Sequence, residues 1–112
     1  MEEAYEDEEI KREFPGVNRL NIIQSRSGIT ANLLYKSYHE QDGLCAISGF
    51  PMSDDDTDGW YAIDVAPKII HRQLSDSNFV LVCSVINRMK PETMRWEQFR
   101  TFCENIADRE RD

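Results

Sequence analysis

The side chains able to do chemistry in this 112-residue chain form a few separate groups. Asp64, Asn78 and Asn87 are a carboxylate followed by two amides nine residues apart. Taken singly, each has an ordinary structural use: a carboxylate after a strand serves a turn or cap, and an amide caps an element or faces water. His71 and His39 are the two imidazoles, the groups whose ordinary titration range suits proton transfer near neutrality. Cys45, Cys83 and Cys103 are odd in number and form no C-x-x-C pair, which argues against a disulfide framework or a cysteine zinc site and suits buried thiols in a reducing cytosol. The run Ser53-Asp54-Asp55-Asp56-Thr57-Asp58-Gly59 is dense in carboxylates. It lacks the alternating ligands, central glycine and terminal glutamate of a calcium loop, so it reads as a solvated loop.

The elements that must position these groups follow from periodicity and punctuation. Thr30 as N-cap and Gly43 beyond the end predict a helix over about residues 31–41, with Leu34 and Tyr38 on one face and His39 on the polar side. Leu44 to Met52 predicts a brief strand that ends in a turn at Gly49 and Pro51. Trp60 to Val65 is rich in β-favouring residues and predicts a second strand, with residues 66–77 irregular. Phe79 to Cys83 predicts a short strand passing into a helix that carries Ile86 and Asn87. Trp96, Phe99, Cys103 and Ile106 stand at steps of three, four and three, which predicts an amphipathic helix over about 94–108 with Thr93 as N-cap. Trp60, Trp96, Cys45 and Cys83 are assigned to the core.

Ahead of these elements the acidic residues Glu2, Glu3, Glu6, Asp7, Glu8, Glu9 and Glu13 crowd the start of the chain. Like-charge repulsion predicts an acidic flexible arm over residues 1–13, and Phe14-Pro15-Gly16 marks the start of a domain over 14–112. A single small α+β domain is expected from this length, and a partner or homodimer interface would add to a limited core. No apolar run is long enough for a membrane span, and the acidic start is unlike a basic signal peptide, so a cytoplasmic protein of the host cell is expected.

Asp64 with Asn78 and Asn87, the continuation Asn87-Arg88-Met89-Lys90, and the upstream segment Cys45-Ala46-Ile47-Ser48-Gly49 together resemble the ββα-metal (HNH) nucleases. The upstream segment resembles that of small phage-encoded members, loosely related to endonuclease VII. The resemblance spans about residues 28–107. It implies a ββα motif flanked by an N-terminal helix and the C-terminal amphipathic helix. It also implies that Asp64 and Asn87 would hold Mg²⁺ and that Asn78 would orient a catalytic histidine. Such a cation polarises the scissile phosphate while histidine activates water.

Val65 stands at the histidine position, and valine can neither take a proton nor bind metal. His71, six residues on, is the weak substitute for a base. The net charge of −8 also points away from direct DNA binding. The resulting expectation is a catalytically degenerate phage or mobile-element protein that uses no cofactor. It would act as an accessory or inhibitor of a host nucleic-acid-binding protein, with Glu6, Asp7, Glu8 and Glu9 imitating phosphate charge. The competing expectation is an active divalent-metal-dependent DNA endonuclease with Arg72, Arg88, Lys90 and Arg95 on the phosphates. A viral structural or assembly protein is the third.

Overall fold

A computed structural model of the chain describes residues 7–14, 19–55 and 57–110. Its elements in chain order are α1 (Asp7–Glu13), α2 (Arg19–Ser27), α3 (Ala31–Glu40), β1 (Ile63–Ala66), β2 (Val80–Cys83), α4 (Ser84–Met89) and α5 (Trp96–Glu110). The fold is α+β, and among the described residues no helix is long and apolar enough to cross a membrane.

β1 and β2 pair antiparallel, with Ile63 opposite Cys83, Asp64 opposite Val82, Val65 opposite Leu81 and Ala66 opposite Val80. A two-stranded sheet of this length is marginal alone. Here it is covered: α2 packs on β1, α3 on β2, and α4 on both strands. That cover explains why Leu81, Val82 and Cys83 are buried in succession instead of alternating with polar residues. Leu20 and Ile23 from α2, Leu34 from α3 and Ile63 from β1 complete the innermost core. Cys45 is buried beside Cys83 at the edge of this core.

Local chemistry sets the ends of α3. The Thr30 hydroxyl accepts a hydrogen bond from Leu33 N–H at 3.3 Å. At the other end Asp42 N–H donates to the His39 carbonyl and Gly43 N–H to the Tyr38 carbonyl, the paired bonds of a Schellman stop. A Cβ at Gly43 would stand 2.9 Å from the Tyr38 hydroxyl, so both the turn and the neighbouring ring require glycine.

Three regions differ from the sequence reading. The segment expected as a solvated arm is helical over Asp7–Glu13, and residues 1–6 lie outside the described residues. Ile10 and Phe14, four apart, are both buried, and the Phe14 ring stands edge-on to Tyr35 at 5.7 Å and Tyr38 at 5.1 Å. Two apolar contacts thus oppose the charge repulsion that favours an arm. Residues 44–52 form a turn, not a strand: Cys45 N–H bonds the Phe50 carbonyl, Gly49 adopts φ 76°, and a single bridge joins Leu44 to Pro51. Trp60, expected in the core, is 65% exposed. The first strand begins later than expected, at Ile63, and the last helix begins at Trp96.

α5 meets the body through its first turns. Trp96 and Phe99 are buried, and the Trp96 indole N–H donates to the Pro67 carbonyl at 3.0 Å. Further along, Phe102 and Ile106 are about half exposed.

Candidate functional site

Asp64 is the one charged residue in a strand whose other members, Ile63, Val65 and Ala66, are buried. β1 therefore holds its carboxylate at a fixed point over the core. α4 follows β2 without a loop, so its last turn crosses β1 and brings Asn87 to that point. Asn87 Nδ2 donates to Asp64 Oδ2 at 3.0 Å and to the Val65 carbonyl at 3.2 Å. Because both neighbours are acceptors, the amide must present its nitrogen here. Asp64 Oδ1 accepts from Val65 N–H at 2.9 Å. From α2, Arg19 Nη2 lies 3.9 Å from Asp64 Oδ1 while its Nε donates to the Ile63 carbonyl at 2.6 Å. The Arg19 and Asp64 side chains are only 11% and 15% exposed, so the pair is less screened than a surface ion pair.

Two of the cavities beside this clasp are lined by Asp64. One, of about 170 Å³, is walled by Ile23, Arg26, Val65, Leu74 and Asn87, and the other, of about 290 Å³, by Arg19, Arg26, Asp58, Ser84 and Arg88. Arg88 reaches across the second cavity to the Gly59 carbonyl and to Ser84 Oγ. Arg26 is exposed at the rim shared by the two.

The residues named from sequence separate in space. Asp64, Val65 and Asn87 come together. Asn78, 6% exposed, turns to the loop instead: its Oδ1 accepts from Ile69 N–H at 2.8 Å, and its Nδ2 donates to the carbonyls of Ile69, Arg72 and Gln73. His71 is exposed and lines a different cavity with Lys68, Arg95 and Trp96, away from Val65. The four cations expected on one phosphate-binding face are also divided. Arg88 borders Asp64; Lys90 stands over the Trp96 ring at 4.7 Å, where burial lowers its pKa; Arg95 accompanies His71; Arg72 is exposed on the loop. Of the acidic set, Glu6 lies outside the described residues, Asp7, Glu8 and Glu9 belong to α1, and Glu9 is exposed.

Arg19 and Arg26 were not anticipated. Leu20 and Ile23 at helical spacing and a stop at Gly28 were the available signal for α2, and a separation of seven residues puts both arginines on one side of it.

The donor set can be tested against a divalent cation. A hard cation takes about six oxygen ligands. At this clasp one carboxylate is present, the neighbouring amide presents nitrogen, and a guanidinium stands where a cation would have to compete. Among the described residues no three His, Cys, Asp or Glu side chains gather into a metal-binding group. This arrangement does not fit a resident Mg²⁺. No family model matches the chain, and neither a curated protein nor a solved structure matches it.

Proposed function

We propose that this chain is a catalytically degenerate HNH-like scaffold that works by binding a protein, as an accessory or inhibitor of a host nucleic-acid-binding protein. The observation that carries this reading is the closed clasp on Asp64. Its carboxylate oxygens already face Asn87 N–H, Val65 N–H and the Arg19 guanidinium. The adjacent residue is a valine 7% exposed. Water activation needs a base within hydrogen-bond reach of the water; the valine cannot take a proton, and both oxygens of the carboxylate already accept hydrogen bonds from within the chain. The acidic balance of the chain, −8 overall, supports a basic protein surface as partner more than phosphate.

A second reading, an active metal-dependent endonuclease, draws support from Arg26 and Arg88 beside Asp64, since guanidinium groups suit phosphate oxygens. A plasmid-nicking assay in Mg²⁺ or Mn²⁺ separates the two. The binding reading predicts no nicking by the wild-type chain. Nicking that disappears in Asp64→Ala would overturn it.

A further inference from the structure

A group of exposed apolar side chains, Phe50 and Tyr61 among them, lies next to Asp58, which also lines the Asp64 cavity with the arginines. We propose that the groove between Phe50 and Tyr61 docks an arginine- or lysine-bearing segment of a partner protein. The proposal deepens the binding reading above and rests on it.

The groove is built from the turn at 44–52 and from residues 53–55 and 57–61. Phe50 is 52% exposed and Tyr61 42%, with their rings edge-to-face at 5.7 Å. Together with Pro51, Met52, Ser53 and Asp58 they enclose an open cleft of about 480 Å³. Trp60 and Leu44 are further exposed apolar side chains from the same two segments. Large rings left in water side by side are characteristic of binding surfaces.

The described residues of the loop that presents them are held by their own polar groups. Asp58 Oδ1 accepts from Trp60 N–H at 3.0 Å and Tyr61 N–H at 2.9 Å. Asp55 Oδ1 accepts from Thr57 N–H and from the Thr57 hydroxyl, and Ser53 N–H bonds the Tyr61 carbonyl at 2.7 Å. Ordering such a loop before binding removes part of the entropy cost of association.

Charge selects the occupant. Asp58 lines the cleft, Asp55 is exposed on the same loop, and among the described residues no lysine or arginine lines the cleft. A cationic side chain finds two aromatic rings and the Asp58 carboxylate there, a combination that favours guanidinium and ammonium groups. A nucleic acid could stack bases on the rings, but its phosphates would meet carboxylates with no cation in the cleft to offset them. A second copy of this chain would bring its own net charge of −8.

The test uses the full chain and a fluorescein-labelled arginine–glycine repeat peptide, followed by anisotropy, with an equally long glutamate–glycine peptide and a single-stranded oligonucleotide as alternatives. Phe50→Ala and Tyr61→Ala leave net charge unchanged and should each weaken the arginine peptide about tenfold. Asp58→Asn keeps an oxygen acceptor for the loop and should also weaken it. Asp108→Asn on α5 removes the same charge elsewhere and should change affinity less than about twofold. Melting curves of each variant verify folding. The docking proposal fails if the peptide does not bind, or if Asp108→Asn weakens it as much as Phe50→Ala does. It also fails if the oligonucleotide competes for the groove, or if Phe50→Ala chiefly abolishes self-association in sedimentation. These outcomes are separate from plasmid nicking: the groove can fail in a chain inert on DNA, and nicking can appear in a chain whose groove binds the peptide.

Discussion

The clasp at Asp64 and the groove at Phe50–Tyr61 sit on the same small body and treat their polar groups in opposite ways. At the clasp, a carboxylate, an amide and a guanidinium are turned toward one another under low exposure, so their interactions are satisfied within the chain. At the groove, rings remain in water beside Asp58, which uses Oδ1 to fix the loop. A group paired internally contributes to stability and has little left for a ligand; a surface left unpaired contributes little to stability and keeps its capacity to bind. The contrast teaches that recognisable catalytic residue types do not mark the most available surface here.

That contrast can be broken in order of expected effect. Removing the polar support of the loop beside the clasp should cost most: Asn78→Ala deletes one acceptor and a donor shared among three carbonyls at a buried position, and should lower unfolding free energy by about 3 kcal/mol. Chemical denaturation checks this, and a loss under about 1 kcal/mol would show that water replaces the amide readily. Asp64→Ala comes next. It leaves the sheltered Arg19 guanidinium without its carboxylate, and a loss of about 2 kcal/mol is expected. If Asp64→Ala instead raises stability, the carboxylate is held against a strain that function requires, and the clasp is a poised site after all.

The smallest effect lies beneath the groove loop. Burial, opposed by hydrogen bonds from Arg19 and Leu20 N–H, pushes the Asp54 carboxyl from its ordinary 3.8 up to about 6. Between these values the folded chain binds more protons than the unfolded chain, so this group's contribution to stability falls as pH rises from about 4 to 6 and is level above. Asp54→Asn removes that slope. At pH 7 the gain should stay below about 1 kcal/mol, because the group is partly exposed and screened. Melting temperatures of both chains across the window measure it; parallel curves would show that Asp54 carries no such proton.

Much of the fold was legible because local rules and tertiary packing agree. Thr30 and Gly43 bound α3 as their chemistry requires, and the apolar run before Asn87 became β2 followed by α4. The stripe from Trp96 to Ile106 became α5, although Phe102 and Ile106 toward its outer half are about half exposed while Cys103 packs against the core. The misses came where long-range contacts decide. Ile10 and Phe14 are weak signals in an acidic run until Tyr35 and Tyr38 are in place to receive them. Trp60 looks like core by residue type, but its N–H donates to Asp58 Oδ1 in a loop that leaves the indole exposed. At the site, order along the chain matched the pairing of Asp64 with Asn87. It could not tell that Asn78 faces the loop or that α2 supplies Arg19, because both depend on how segments distant in sequence meet.

The thiols have a consequence of a different kind. Cys83 is fully buried, and burial together with its neighbour Cys45 pushes its pKa up to about 12. At Cys45, burial is outweighed by hydrogen bonds, chiefly from Ser48, which hold its thiol below the ordinary value, yet it too is covered. Only Cys103 on α5 is partly open. Since alkylation needs both thiolate and access, the chain carries its more accessible sulfur on its outer helix and a shielded one at the end of β2. Labelling of Cys83 is then a clock for the parting of its two strands, running at the frequency with which the hairpin opens.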